Sequence, residues 1–316
     1  MLYKRVKIFA IIFTITLLSQ SILSQQDALY SQYMFNQFTI NPAYAGTRNS
    51  MSGVLLYRSQ WIGMSDAPKT VNLSIHSPFR GKKMALGFNL ITDELGPIRS
   101  DAIMGTYAYH LRTSKGRISF GLRGGFMSST LNNNLLDFHL PDNNQDNRKY
   151  TSIIPNFDFG MYYYTSNYYA GLSVNHLANS HINFQLDTLL DNGKNPITEI
   201  DLSRNIILAT GGVYEINNSL MFRPSFLLKY VKNMPINYDL NASFLFNKTL
   251  WIGATYRSSK NLVFITEYNI SDVFRMGYSF DFDLSKIRVQ TSGSHEIFLG
   301  FDLNLRKDKS VSTRYM

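Results

Sequence analysis

The chain has 316 residues and no cysteine, which excludes disulfides and thiolate-held metals. Charged residues make up 17% and aromatics 14%, with 20 Tyr and 22 Phe but only 2 Trp. The net charge of +9 is not gathered into a basic cluster dense enough for nucleic acid. The mean hydropathy of -0.14 matches a soluble protein, and equally a membrane barrel whose strands alternate apolar and polar residues.

Residues 1–24 read as a secretory signal peptide. Lys4, Arg5 and Lys7 form a basic start, Ile8 to Leu18 is apolar apart from Thr14 and Thr16, and Ser19 to Ser24 is small and polar, with cleavage expected near Ser24. The apolar run is too short to span a bilayer. Its removal lowers the net charge to +6, because it carries three basic residues and no acidic one.

Residues 25–49 form a pre-barrel segment rich in aromatics and without clean alternation. Such density suits packing inside or beneath a fold better than a disordered leader. Tyr33, Phe35, Asn41, Pro42 and Tyr44 are candidates for plug packing or for contact with a partner. Trp61 is a sixth candidate, or else a residue of an interfacial belt.

From residue 25 onward no apolar run approaches 18 residues, and the pattern has period two. In Phe274 to Asp283, for example, Phe274, Met276, Tyr278, Phe280 and Phe282 alternate with Arg275, Gly277, Ser279, Asp281 and Asp283. About 14 strands are expected, at roughly 50–61, 69–79, 83–92, 101–113, 116–128, 156–165, 167–177, 205–216, 219–232, 236–247, 249–258, 261–269, 273–284 and 295–305. Residues 50–305 are thus the expected barrel, and 306–316 a C-terminal tail.

A soluble sandwich is the rival fold, since its strands alternate as well. The connections argue against it. Even-to-odd connections are tight: Arg80 to Lys82, Ser114-Lys115, Ser166, Asn217-Asn218 and Lys248. Odd-to-even connections include Ile62 to Pro68, Thr92 to Ser100, Ser129 to Pro155 and Ala178 to Arg204, with Ser259-Lys260 a short exception. Periplasmic turns facing extracellular loops give this asymmetry, and a sandwich has no reason for it. The expected fold is therefore an all-β transmembrane antiparallel barrel with both ends periplasmic.

With the apolar residues toward lipid, Arg58, His76, Arg117, Arg123, Asp158, Arg223, Lys229, Asp239, Arg257, Arg275, Asp281 and Asp283 face inward. Such a lumen is either a wet conduit or one filled by side chains or a bound segment.

Catalysis has little support. Ser74 and His76 share a face, and His110, His176, His181 and His295 are further candidates, but no third group is placed to orient a base. Interior histidines serving structure are the ordinary reading. Asn132 to Asn147 lacks the ligand spacing of a calcium loop. Gly121, Gly124 and Gly125 sit in a strand and suit a bulge or close packing. No catalytic residue, metal or cofactor is expected.

The chain resembles the PorP/SprF family of type IX secretion system outer-membrane proteins. The resemblance is carried by Gln32-Tyr33-Met34-Phe35-Asn36, Asn41-Pro42-Ala43-Tyr44-Ala45-Gly46, Arg58-Ser59-Gln60-Trp61-Ile62-Gly63 and Ala67-Pro68-Lys69-Thr70. Further pieces are Gly171 to Leu177, Pro224 to Tyr230, Tyr278 to Asp281 and Ser292 to Ile297. Their order spans nearly the whole chain after residue 24. The resemblance implies an outer-membrane barrel of a Gram-negative bacterium that supports protein export and surface anchoring of a partner such as a gliding adhesin. It implies as partners the C-terminal sorting domain of a secreted protein and subunits of the secretion machinery, alongside the lipid bilayer. Loops 129–155 and 178–204 are where a particular partner would be fitted. A porin or transporter for small or hydrophobic solutes is the alternative that the strands alone leave open.

Overall fold

The computed structural model describes residues 30–79, 83–133, 148–185 and 197–304. The expected signal peptide, the tail 306–316, the turn 80–82 and residues 134–147 of the Asn-rich stretch lie outside the described residues.

Fourteen antiparallel strands form one closed barrel. They are β1 Met51–Ser59, β2 Lys69–Pro78, β3 Met84–Leu95, β4 Ile98–Arg112, β5 Arg117–Asn132, β6 Lys149–Tyr164 and β7 Tyr168–Asn175. Then come β8 Asn205–Gly212, which continues past Val213 as Tyr214–Asn217, β9 Leu220–Val231, β10 Asn237–Phe246 and β11 Leu250–Arg257. The last are β12 Asn261–Asn269, β13 Phe274–Asp283 and β14 Ser294–Leu303. Each strand pairs with its sequence neighbours, and β1 pairs with β14 from Met51↔Leu303 to Ser59↔His295. Closure gives every strand of the barrel a neighbour on both sides, as a span through hydrocarbon requires.

Alternation sets which face meets lipid. Leu122 is 60% exposed and Phe126 64%, as are Leu55, Tyr57, Phe264 and Leu299 to similar degrees, while the residues between them point inward. Eleven of the twelve expected inward residues are buried, and Arg117, near the turn end of β5, is half-buried.

Two connections differ from the sequence expectation. Thr92 to Ser100 is a pair of strand ends rather than a loop, with only Gly96-Pro97 between Leu95 and Ile98, and Gly96 adopts φ +55. Ser129 to Pro155 likewise begins and ends as strand, since β5 runs to Asn132 and β6 begins at Lys149. The reason is a change of solvent. Above the lipid belt the outward face carries Thr92, Glu94, Arg99, Asp101, Thr130 and Thr151, so the apolar-out signature vanishes although the ladder continues. Arg99 pairs there with Glu94 at 2.9 Å and Asp101 at 3.0 Å, and the Thr130 and Thr151 hydroxyls meet at 2.9 Å. Strands β3 to β6 therefore rise as a wall beyond the membrane, at the end that is extracellular in outer-membrane barrels.

Sequence 178–204 holds a small hairpin as well, His181–Gln185 with Ile197–Asp201. Its Ile182 and Phe184 pack with Leu131, Tyr150, Ile154 and Leu202 against the inward side of that wall.

Candidate functional site: the filled lumen

Residues 30–50 lie inside the barrel as three one-turn helical pieces, Tyr33–Phe35, Gln37–Ile40 and Pro42–Tyr44. They descend from the extracellular half, where Ser31 meets Asp281 and Glu296, to the turn end, where Arg48 meets Asp302. Tyr33, Met34, Phe35, Phe38 and Tyr44 are all buried. Helical turns this short leave their terminal carbonyls without internal partners, so the wall must supply donors.

It does so with inward arginines and hydroxyls. Arg123 donates to the carbonyls of Phe38 and Thr39 at 3.2 and 3.0 Å while its Nε donates to Asp158 at 2.6 Å. Arg275 donates to the Phe35 carbonyl at 3.3 Å and to Glu267 at 3.2 Å. The Ser173 hydroxyl donates to the Ile40 carbonyl at 2.7 Å, and His110 Nε2 lies 2.9 Å from the Ala45 carbonyl. Each of these guanidinium charges is thus neutralised by a neighbouring strand while another of its donors reaches the segment, which removes the penalty of an unpaired buried ion.

The Asn-Pro-Ala-Tyr run has a local logic. Asn41 Oδ1 accepts from the Ala43 amide at 2.9 Å and so caps the turn, while Pro42 starts it without needing an amide hydrogen. Asn41 Nδ2 donates to the carbonyls of Met161 and Leu172, at 3.1 and 3.3 Å, in the wall itself. That approach requires bare backbone. Gly121 and Gly160 pair across β5 and β6, and a Cβ on either would occupy the place of Pro42, Ala43 or Asn41. Gly87 is emptied in the same way for the ring of Phe38.

Other contacts complete the seat. Arg223 is sandwiched between the rings of Phe35 at 4.4 Å and Trp251 at 4.1 Å. The Tyr33 hydroxyl lies 3.3 Å from Ser225 Oγ, and Tyr162 donates to Gln37 at 2.8 Å. At the extracellular side Glu296 accepts from the amides of Ser31 and Gln32, both at 2.9 Å, and Arg58 pairs with Asp281 at 2.8 Å and Glu296 at 3.3 Å.

The six residues singled out from sequence separate into two groups. Tyr33, Phe35, Asn41, Pro42 and Tyr44 are brought together within the lumen. Trp61 stands apart, half-buried in the β1–β2 loop, where its amide donates to Ser294 Oγ at 3.1 Å and its φ is +49. The histidines have structural partners. The Gly46 amide donates to His76 Nδ1 at 3.2 Å, and Ser74 Oγ exchanges hydrogen bonds with Asn36 instead of His76. His176 Nδ1 lies 3.0 Å from Asn156, and Tyr278 OH lies 2.7 Å from His295 Nδ1. Among the described residues no group of His, Asp and Glu is arranged to hold a metal. The sequence reading missed Gly87, Gly160 and Gly171. Their signal was present as glycines on inward positions of neighbouring strands, where a side chain would otherwise fill the lumen.

Replacing Gly160 by Val therefore unseats Asn41. The expected outcome is a barrel that still shifts on a gel upon boiling, yet is cut after Arg48 by added trypsin in liposomes. Gly105→Ala, whose added carbon meets only ordinary contact with the Gly124 carbonyl at 3.9 Å, leaves that bond protected.

The family described as type IX secretion system membrane protein PorP/SprF matches residues 22–301. No curated protein sequence matches the chain. Among solved structures, the CymD monoaromatic hydrocarbon channel is similar with a TM-score of 0.51 at 14% identity, over 85% of this chain and 91% of that one. The toluene transporter TodX of Pseudomonas putida gives 0.48 at 11% identity, over 89% and 96%. A FadL homologue of Pseudomonas aeruginosa gives 0.49 at 10% identity, over 84% and 93%. At such identities the first of these supports the barrel fold alone.

Proposed function

The chain belongs to the PorP/SprF family of type IX secretion system membrane proteins, and from that premise we propose that it is an outer-membrane barrel supporting export and surface anchoring of a secreted partner. The partner is recognised through its C-terminal sorting domain, in concert with subunits of the secretion machinery, and a gliding adhesin is one such partner. A cleaved signal peptide over residues 1–24 delivers the chain.

The observation that carries this reading is the filled lumen. Phe38 and Ala43 are completely buried within the barrel, and arginines from β5 and β13 hold the carbonyls of the same segment. A barrel so occupied is suited to holding a partner rather than passing one. The second reading, a conduit for small or hydrophobic solutes, draws on a cavity of about 130 Å³, partly open to solvent, above the segment.

Purification of a tagged chain from its native membrane tests the reading. One secreted protein and machinery subunits are expected to accompany it through mild detergent. A chain that purifies alone after chemical cross-linking in intact cells contradicts it.

A further inference from the structure

The extracellular rim of the barrel is uneven. Strands β4, β5 and β6 have 15 or 16 residues, whereas β11 has eight and β12 nine. A strand needs about 9–11 residues to cross the hydrocarbon. The turn from Ser258 to Lys260, which joins β11 to β12, therefore lies at the lipid–water boundary itself.

The β13–β14 loop is tied to that turn. The Leu284 amide donates to the Lys260 carbonyl at 2.8 Å. At the other end of the loop the Ser292 amide donates to the Ile62 carbonyl at 2.7 Å, and the Ile62 amide to the Gly293 carbonyl at 2.8 Å. Between these ties Lys286–Val289 form one helical turn. Three exposed cations thus gather on the low side of the rim: Lys260, Lys286 and Arg288.

Arg288 shows which way the cluster faces. Its guanidinium lies over the Phe282 ring, 5.5 Å from the centroid. Phe282 shares the parity of Phe274, Met276 and Tyr278 and is the last lipid-facing ring of β13. Apolar residues stand beside the charges: Val289 is 90% exposed, and Leu284, of the same parity as Phe282, is 51% exposed.

Among the described residues none of the three cations enters an ion pair. The carboxylates at this end of β13, Asp281 and Asp283, are buried on the inward face, and Asp281 is held by Arg58 and Arg257. An acidic peptide would answer the charges and leave Val289 in water; hydrocarbon alone would do the reverse. A phosphorylated lipid answers both, with its anionic group at the level of the cations and its chains beneath.

We propose that Lys260, Lys286 and Arg288 bind the phosphate groups of a lipid in the outer leaflet, whose acyl chains run past Val289 and Leu284 along the lipid-facing side of β12 and β13. The site is independent of the lumen and of any secreted partner. It fixes the low side of the barrel at the membrane surface while β3 to β6 stand clear of it.

The test uses the full chain, purified in detergent and stripped of lipid, with diphosphoryl lipid A as the probe and native mass spectrometry as the readout. The wild type is expected to retain one lipid A and to release the dephosphorylated form. Each cation near a lipid phosphate is worth about fivefold in affinity, so Lys260→Gln, Lys286→Gln and Arg288→Gln together are expected to weaken binding about a hundredfold. Lys115→Gln with Lys248→Gln, in exposed turns at the opposite end, leaves binding unchanged. Heat-dependent migration on a gel reports folding of every variant. Should the triple variant fail to fold, Lys286→Gln alone is expected to weaken binding about fivefold, and Lys286→Arg to keep it. Equal binding by the wild type and the folded charge variants overturns the inference. So does equal retention of the dephosphorylated lipid, or displacement of lipid A by inorganic phosphate or an acidic peptide at equal concentration.

Discussion

Deleting residues 30–48 is expected to turn a non-conducting barrel into an open pore in planar bilayers. The wild-type protein should show the baseline of the bare membrane, and the deletion steady steps of a water-filled channel. The ladder from β1 to β14 does not depend on the segment, because every strand pairs with its sequence neighbours and the circle closes through β1 and β14. What the segment supplies is packing: Tyr33, Met34, Phe35, Phe38 and Tyr44 are each 4% exposed or less. Burying a large apolar side chain contributes about 1.5–3 kcal/mol. A net preference of only about 2.7 kcal/mol already holds the displaced form near one percent, so spontaneous conductance should be rare. Once the segment is gone, water solvates Arg123, Arg275, Ser173 and the other polar groups that it had engaged, and the lumen stays open rather than collapsing. A wild-type protein that conducts as well as the deletion would contradict the assignment of residues 30–48 as a seal.

Asp281→Ala is expected to be the most destabilising single substitution in the lumen. Asp281 is fully buried and serves three groups: Arg58 at 2.8 Å, Arg257 at 3.6 Å and the Ser31 hydroxyl at 2.7 Å. Removing it leaves two guanidinium groups short of counter-charge away from water, and breaking a buried pair in this way costs about 3–5 kcal/mol. It also loosens the upper end of the lumenal segment, which Glu296, Arg58 and Asn72 are left to hold. Asp101→Ala is the matched control. Asp101 pairs with Arg99 on the outward face above the lipid belt, where the Arg99 side chain is 54% exposed, and such a pair is worth about 0–1 kcal/mol. Guanidinium unfolding of the two variants in liposomes separates the outcomes: a large fall in midpoint for Asp281→Ala and almost none for Asp101→Ala. Equal midpoints would show that the charged lumen is wet rather than packed.

The barrel was legible in the sequence because lipid imposes a strict period on the outward face. Phe274, Met276 and Tyr278 could be assigned to that face with no coordinates, and the inward position of Arg58, Arg257 and Asp281 followed from parity. The tight turns were legible for the same reason, since each interrupts the period. The strand ends from Thr92 to Ser100 were not, because water on both sides of the extracellular wall removes the contrast that alternation depends on. The hairpin His181–Gln185 with Ile197–Asp201 was hidden likewise: Ile182 and Phe184 face Leu131, Tyr150 and Ile154, a contact between segments far apart in sequence. For the lumen, the aromatic density of residues 30–44 signalled burial, but not its direction or its partners. Arg123 and Arg275 read only as inward charges. That they hold carbonyls of Phe38, Thr39 and Phe35 depends on the path of a segment whose turns are one residue cluster long and carry no period. The glycines at 121 and 160 gave a local sign of that path, as two missing side chains facing each other across neighbouring strands.

The anchoring function itself is tested most directly by the surface proteome of a strain lacking the gene, measured alongside uptake of small apolar solutes. If the chain anchors a partner, one secreted protein leaves the cell surface and appears in the medium, uptake is unchanged, and the intact gene restores the surface. An unchanged surface proteome with uptake lost would contradict it and make the barrel a transporter.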